Sequence, residues 1–255
     1  MARSCKHTEP ACVEPAEHVI RVKNRHGIAA NLEGMRGVLL LFQNVAMRRL
    51  ADGYHLGDSV KWISGDLRIL QEPGGSVAVC AGFGIGAPAT AIVVEQLVSL
   101  GASRIIAVGT AGTLQPFVRV GDIVLCERAV RGEGVSGHYW QEEKYAYASP
   151  GLTELMERGL RAPGRYIHIG SSWTTDALYR ETRREADKYG AEGVLTVEME
   201  AAALFAVGRY RDIECAASFV VSDSLVRGQR RPSRPDITAF SLDVVIHAAI
   251  SALLI

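Results

Sequence analysis

Thr196-Val197-Glu198-Met199-Glu200, followed directly by the run AAALFAV over 201–207, is the stretch that decides how this chain folds. The run is apolar on nearly every side, which predicts a buried helix over 198–210. Ionised carboxylates are costly at the start of such a helix unless they are paired, hydrogen-bonded or used on a ligand. Glu200 is therefore a candidate site residue. Glu198 is another, with bracing of the helix start as an equal alternative, because alternate residues there point in different directions.

A third acid follows the next apolar run. Residues 213–221 read as a buried strand that ends in Ser222-Asp223-Ser224. In open α/β sheets, ligands bind beyond the carboxyl ends of the strands. We therefore expect Asp223 to lie at a ligand-binding edge, with Ser222 beside it.

Apolar runs bounded by turn residues alternate with helix-period segments along the chain, which predicts strands that cross over through helices. We expect a single-domain, three-layer α/β/α fold with a central mixed sheet over 21–255, after a flexible N-terminus over 1–20. The expected strands are 37–42, 76–81, 104–108, 122–126, 166–170 and 215–221, and the expected helices are 45–52, 89–100, 152–160, 181–189, 198–210 and 237–254.

Composition narrows the class of function. The 255 residues are 48% hydrophobic and carry 28 basic and 28 acidic side chains, so no global field recruits nucleic acid or a membrane surface. A cytoplasmic protein with a small-molecule substrate is the expectation. The five cysteines are predicted to be reduced structural thiols, and Cys5, His7 and Cys12 lack the paired ligand set of a metal site. We predict neither a metal nor a cofactor.

Two glycine-rich segments are expected to shape a pocket. AGFGIGAP over 81–88 connects a strand to a helix, where Gly84 lets a ligand approach the backbone and the helix start favours an anion. GTAG over 109–112 is predicted to form a second turn, which offers the hydroxyl of Thr110. A dinucleotide site would require an acid after the strand that follows the first turn, and residues 105–109 contain none.

These segments, taken in order, resemble the nucleoside phosphorylases of the purine nucleoside phosphorylase and uridine phosphorylase type, a family that includes nucleosidases. The matching pieces are GFGIGAPATAIVVEQL (82–97), GTAGTLQPFVRVGDIV (109–124), AVRGEGVSGHY (129–139), WTTDALYRETR (173–183), EGVLTVEMEAAALFAVG (192–208) and VVSDSL (220–225). The resemblance implies the family's fold, a sugar-and-base site and a homo-oligomer, either a dimer, a trimer or a hexamer.

The resemblance also implies roles for individual residues. Glu200 would accept hydrogen bonds from the ribose diol while Met199 packs against the sugar. Asp223 would hydrogen-bond or protonate a ring nitrogen of the leaving base. Thr110 would touch the attacking phosphate or water, and Glu198 would reach the sugar or brace the site.

Further pocket positions follow from the same resemblance. Leu178 stands where many relatives stack an aromatic ring on the base, and Trp173 or Tyr179 is the substitute that this chain offers. Phe42 lies beside the position of the family's phosphate site and makes it more apolar. The Arg-rich segment 227–234 is predicted to be a solvated surface loop rather than an anion-steering lid.

The chain departs from the family where phosphate binds. Phosphate-using relatives carry a Gly-Asp-Pro-x-Arg loop after the first strand and an arginine shortly before the Gly-Thr turn. Here these positions read LFQNVA over 41–46 and Ala107, so two bidentate cations are replaced by apolar groups. Hydrolytic relatives activate water with a glutamate in the first loop, where this chain has the amides Gln43 and Asn44. Ordinary phosphorolysis is therefore in doubt.

Three hypotheses remain open. The first is a family enzyme that acts on a nucleoside or nucleoside-like molecule, in which the carboxylates stabilise and protonate a cation-like state. The second is a repurposed enzyme for cyclisation or isomerisation of an imine-bearing metabolite in specialised biosynthesis. The third is a catalytically silent homologue that binds a ligand or partner.

Overall fold

The computed structural model describes residues 9–26, 30–60, 62, 64–140, 143–161, 166–226 and 235–255. The strands are β1 (Gly37–Leu41), β2 (Asp66–Glu72), β3 (Gly75–Ala81), β4 (Arg104–Thr113), β5 (Ile123–Gly132), β6 (Tyr145–Tyr147), β7 (Ile167–Thr175), β8 (Thr196–Glu198) and β9 (Glu214–Ser224). The helices are α1 (Pro15–His26), α2 (Asn44–Gly53), α3 (Ala87–Ser99), α4 (Pro150–Leu160), α5 (Arg183–Ala191), α6 (Ala201–Tyr210) and α7 (Pro235–Leu254).

The strands form one mixed sheet in the order β2-β3-β1-β4-β8-β7-β5-β6, and β9 pairs with both β4 and β5. β1 is parallel to β3 and β4, whereas β8 is antiparallel to β4. Helices α1, α3 and α6 cover one face of the sheet and α2, α4 and α7 cover the other. Side chains of β1 alternate between these two cores, as the pleat of a strand requires. The expected α/β fold with a mixed sheet between helices is confirmed.

Four differences from the sequence expectations bear on the site. β4 continues to Thr113, so the segment 109–112 is strand and the predicted second glycine turn is wrong. The buried helix α6 starts at Ala201 rather than at residue 198, because residues 196–198 pair with β4 and β7 as β8. β2 and β6 were not expected. Residues 15–20, inside the segment expected to be flexible, belong to α1, whose Val19 is buried.

α7 is the chain's longest described helix and is apolar enough, by length and composition alone, to cross a membrane. Its residues instead pack against α2, α4 and the sheet, and Leu242, Val245 and Ala249 are completely buried there. Three cysteines, Cys80, Cys126 and Cys215, are buried free thiols in the strands, while Cys12 is an exposed free thiol. Burial raises the pKa of all three buried thiols, so they remain protonated.

Candidate active site

The acids identified from the sequence meet at the carboxyl ends of β4 and β9. Gly112 of β4 pairs with Val197 of β8 on one side and with Asp223 of β9 on the other. The segment that begins at Thr196 and the acid of β9 therefore share one edge of the sheet. This is the edge at which ligands bind in open α/β folds.

Glu200 is the residue immediately before α6 and is only 5% exposed. Its Oε1 accepts a hydrogen bond of 2.7 Å from the N–H of Gly86, and its Oε2 accepts one of 3.2 Å from the N–H of Met199. Gly86 has a φ of +89°, a conformation that favours glycine, and ends the first glycine-rich turn before α3. The carboxylate thus joins the start of α6 to the predicted glycine turn 82–86.

Glu198 is bound entirely by its own protein surroundings. Its Oε1 accepts a 2.6 Å hydrogen bond from the hydroxyl of Thr174, and its Oε2 accepts 2.7 Å bonds from the N–H groups of Glu200 and Ala201. The Thr174 hydroxyl also accepts from the N–H of Ala202 at 3.0 Å. Three otherwise unpaired donors at the start of α6 are thereby satisfied. Of the two alternatives for Glu198, this geometry favours bracing.

Burial controls the protonation of both glutamates. Desolvation, followed by repulsion from Glu198, raises the pKa of Glu200 to about 7. Burial also raises the pKa of Glu198, against the opposing hydrogen bonds from Thr174, Ala201 and Glu200. Among the described residues, neither carboxylate has a salt-bridge partner. The site therefore favours a positively charged group, which would relieve both the desolvation and the repulsion.

A β-bulge places Asp223. The pairing of β4 with β9 passes from Ala111 opposite Val221 to Gly112 opposite Asp223, so Ser222 is the extra residue. The hydroxyl of Ser222 donates a 2.7 Å hydrogen bond to Oδ1 of Asp223. A Cβ on Gly112 would stand 3.3 Å from Oδ2 of Asp223 and 2.7 Å from Cδ1 of Leu225, so a larger residue would displace both side chains. Asp223 itself is exposed.

Glu181 is an acid of this region that the sequence analysis did not identify as a site residue. It precedes α5 and is partly buried. Burial, followed by the nearby charge of Asp223, raises the pKa of Glu181 to about 7. Its sequence position, inside a segment with helical periodicity, gives no sign of this proximity, which arises only in the folded chain.

The remaining predicted contacts occupy different settings. Thr110 is a half-buried residue within β4, opposite Val220, and Gly84 is exposed in the glycine turn. The Cε of Met199 lies 3.8 Å from the point that a Cβ on Gly86 would occupy. Leu178 is 48% exposed in a short 3₁₀ turn before α5.

Trp173 lies on the face of β7 opposite to Thr174. Its neighbour Thr174 reaches Glu198, and successive side chains in a strand face opposite sides. The indole is 3% exposed and packs against Tyr189, with 4.7 Å between the ring centroids. The indole of Trp173 therefore packs against α5, and its contact with a substrate stays a prediction. Tyr179, the other proposed aromatic, is 95% exposed.

Ala107 and the segment 41–46 are the part of the chain that the resemblance aligns with the family's phosphate-binding arginines. Ala107 is completely buried, and Phe42 is 6% exposed with its ring edge-on to Phe83 at 5.8 Å between centroids. A Cβ added to Gly109 would lie 3.0 Å from Cδ2 of Phe42, so the ring packs closely against this glycine. The Oε1 of Gln43 is buried with no hydrogen-bond partner among the described residues. The Arg-rich segment 227–234 and Cys5 and His7 lie outside the described residues.

No cluster of three or more His, Cys, Asp or Glu side chains within the described ranges is arranged to hold a metal ion. The two buried glutamates use their oxygens on backbone N–H groups and on Thr174.

Comparison with known proteins identifies related sequences and folds. The family model described as Phosphorylase superfamily matches residues 53–253. A guanosine phosphorylase of Halorubrum lacusprofundi is 34% identical over 164 residues, which cover 64% of this chain and 67% of that protein. A uridine phosphorylase of Salmonella typhimurium is 32% identical over 145 residues, which cover 51% of this chain and 57% of that protein.

A solved structure shows the same architecture. The crystal structure of a uridine phosphorylase from Vibrio fischeri, in complex with 6-hydroxy-1-naphthoic acid, superposes with a TM-score of 0.72 at 27% sequence identity. The superposition covers 86% of this chain and 90% of that one. The similarity therefore extends over almost the whole sheet and both helical layers.

Proposed function

Because the chain belongs to the phosphorylase superfamily, we propose that it cleaves the N-glycosidic bond of a nucleoside or nucleoside-like small molecule without ordinary use of inorganic phosphate. Glu200 and Asp223 are the proposed catalytic residues. The observation that carries this proposal is a pair of buried carboxylates, Glu198 and Glu200, that have no salt-bridge partner within the described part of the chain.

Glu200 is suited to hold the sugar. Each carboxylate oxygen already accepts one backbone hydrogen bond and keeps lone pairs for the hydroxyls of a vicinal diol. As the bond between the anomeric carbon and the base nitrogen breaks, positive charge develops on the sugar ring. A carboxylate fixed in a dry site stabilises that charge more in the transition state than in the ground state.

Asp223 is the proposed general acid. The electron pair of the breaking bond moves onto the base, and Asp223 donates a proton to a ring nitrogen, so that the base leaves neutral. The exposed position of Asp223 leaves its carboxyl accessible to a base at the mouth of the site. Glu181, whose pKa of about 7 keeps a proton nearby at neutral pH, is a proposed source for reprotonation.

The proposed reaction differs from that of phosphorylases in the nucleophile that attacks the anomeric carbon of the sugar. A phosphate dianion needs bidentate cations, and by the resemblance their positions fall at Ala107 and within the segment 41–46, which includes Phe42. Water or another uncharged nucleophile then adds to the anomeric carbon and loses its proton to solvent. Thr110 and Gly84 are the proposed neighbours of this nucleophile, and Met199 and Leu178 are the proposed contacts of sugar and base.

A panel of inosine, guanosine, adenosine and uridine, incubated with and without inorganic phosphate and analysed by liquid chromatography, tests the proposal. We expect free base at the same rate with and without phosphate. Asp223→Asn is expected to lower the rate roughly 100- to 10,000-fold, the range typical of a lost general acid. Ser222→Ala, which keeps the carboxyl of Asp223 and removes the hydroxyl that bonds to it and to the carbonyl of Ala111, is the matched control. Base release that strictly requires phosphate would contradict the proposal.

A second candidate is supported by the same acids and by the apolar contact between Phe42 and Phe83. A protonated imine is a cation that fits beside paired carboxylates, which agrees with the hypothesis of a repurposed cyclase or isomerase. The test is deuterium exchange of the model imine 2-methyl-1-pyrroline, followed by NMR. Exchange that depends on Asp223, without base release from any nucleoside, favours this candidate. The absence of both activities favours a silent binding homologue.

We also propose that the protein is a cytoplasmic homo-oligomer, either a dimer, a trimer or a hexamer, as its similarity to phosphorylases suggests. Light scattering coupled to size-exclusion chromatography tests the oligomer, and a monomeric mass would contradict it.

A further inference from the structure

A cavity of about 700 Å³ lies on the helical face formed by α1, α3 and α6. One wall is the N-terminal segment 9–18, and the opposite wall is the outer side of α3 with Ile92 and Gln96. The floor includes Tyr139 and the residues Tyr210 and Arg211 at the end of α6. We call this the N-terminal cavity. Its volume falls within the range of about 300 to 1,000 Å³ that small-molecule sites occupy.

The N-terminal cavity is separate from the site of Glu200. Neither Glu200 nor Asp223 lines the cavity, which comes nearest to that site at Pro88, two residues after Gly86, and extends to Tyr210 and Arg211 at the other end of α6. The ten residues of the helix span about 15 Å at 1.5 Å per residue. The wall segment 9–18 also lies outside residues 53–253, the range that matches the family model. The rest of the lining, from α3 to the end of α6, lies within the matched range.

The charges at the cavity compensate each other. Arg211 donates two hydrogen bonds to Glu95, at 2.6 and 3.2 Å, and Glu95 is 8% exposed. Burial and the charge of Glu95 raise the pKa of Tyr139 to about 12, so its hydroxyl remains neutral. A charged ligand would lose hydration without gaining an unpaired counter-ion from this ion pair. The other ionisable lining residues, Glu9, His18 and His138, are exposed to solvent, so the buried part of the cavity favours a neutral ligand.

One polar group in the wall lacks a partner. Gln96 is 7% exposed, and its Oε1 is buried with no hydrogen bond among the described residues. A buried acceptor without a donor has lost its bond to water and gained no replacement. An N–H or O–H of a ligand that reached this oxygen after a small rotation of the side chain would provide that replacement. The surrounding wall is apolar, with Ile92 57% and Val13 63% exposed.

From these observations we infer that the N-terminal cavity is a second small-molecule site, separate from the nucleoside site, for a neutral and mostly apolar ligand that carries one hydrogen-bond donor. Ile92 and Val13 contact its apolar body, and Gln96 accepts from its donor. The edge-to-face pair of Tyr139 and Tyr210, 5.5 Å between centroids, closes the floor.

The probe for this site is N-phenyl-1-naphthylamine, a neutral aromatic amine with one N–H donor and a fluorescence that increases in apolar surroundings. We expect saturable binding of one probe per chain. Ile92→Trp, which fills the cavity from an exposed position, should weaken binding at least about tenfold. Ile20→Trp is the matched control, because Ile20 is 58% exposed on α1 and does not line the cavity. Gln96→Met should weaken binding about 2- to 12-fold, the loss of one hydrogen bond.

Two further measurements distinguish the N-terminal cavity from the nucleoside site and from an interface between copies of the chain. Asp223→Asn and an excess of inosine should leave probe binding unchanged, and competition by inosine would overturn the inference because it would place the probe in the nucleoside site. Equal binding to wild type and Ile92→Trp would also overturn it. A lower oligomeric mass of Ile92→Trp than of Ile20→Trp, measured by light scattering, would overturn it by identifying this face as an interface between copies of the chain.

Discussion

Replacing Glu200 by glutamine should make the protein more stable at alkaline pH while removing its activity. The carboxyl of Glu200 has its pKa raised from 4.5 to about 7 by burial and by Glu198. Between these two values the folded chain holds a proton that the unfolded chain releases. The free energy of unfolding of the wild type must therefore fall as pH rises through this window. A glutamine side chain at this position does not titrate and cannot contribute to this fall.

The size of the effect follows from the two pKa values. The full difference between 4.5 and about 7 corresponds to about 3 kcal/mol, of which about 2 to 3 kcal/mol is expressed between pH 5 and pH 8. Glutamine keeps the oxygen that accepts from Gly86 and loses the acceptor for Met199, a change of roughly 1 kcal/mol that is the same at both pH values. The contribution of Glu200 titration to the free energy of unfolding can therefore be separated from this constant loss.

Urea unfolding of wild type and Glu200→Gln at pH 5 and pH 8 measures this double difference. We expect the stability of the variant relative to the wild type to increase by about 2 to 3 kcal/mol from pH 5 to pH 8. Glu154→Gln, at a 61% exposed position on α4, is the control for removing one negative charge. The reasoning is refuted if the relative stability of Glu200→Gln is the same at both pH values, or if Glu154→Gln shows the same increase.

Three other predictions concern the supports of the site and the thiols. Thr174→Val removes the donor to Glu198 and the acceptor for the first turn of α6, and should lower the free energy of unfolding by about 2 to 4 kcal/mol in urea titrations. Gly112→Ala should lower kcat roughly 10- to 100-fold by displacing Asp223, whereas Gly53→Ala, with open space around its Cβ, should leave kcat unchanged. Ellman's reagent should modify Cys12 in the native protein, while the other three described cysteines react only after unfolding.

The layers of the fold follow from periodicity, because buried strands and amphipathic helices leave a regular pattern. β1, β3, α3 and α4 lie within a few residues of their expected bounds. β8 was not predicted because three residues are too few to show a strand period. The apolar run of α6, which follows directly, also led to residue 198 being assigned to the helix. The extension of β4 through 109–112 was missed because glycine, which usually marks a turn, is needed there for close packing against Leu225.

The candidate site was accessible from the sequence wherever residue chemistry alone is informative. Glu200 and Asp223 were found because carboxylates are rare next to buried apolar runs. Trp173 and Glu181 show the limit of that approach. Which face of β7 carries the indole depends on strand parity, and the proximity of Glu181 to Asp223 depends on how α5 docks. Both are tertiary facts that a local pattern does not contain.

The bulge in β9 has a consequence for how loss of function is interpreted. In regular pairing, Gly112 would stand opposite Ser222, and a hydroxyl would occupy the place of the carboxylate. The position of the carboxylate thus depends on two features, the residue type at 223 and the β-bulge that inserts one extra residue before it. A change elsewhere that allowed β9 to pair regularly would preserve the sheet and would move Asp223, the proposed proton donor, out of its place. A well-folded but inactive variant of this protein can therefore have an intact set of active-site residues that is out of step by one position.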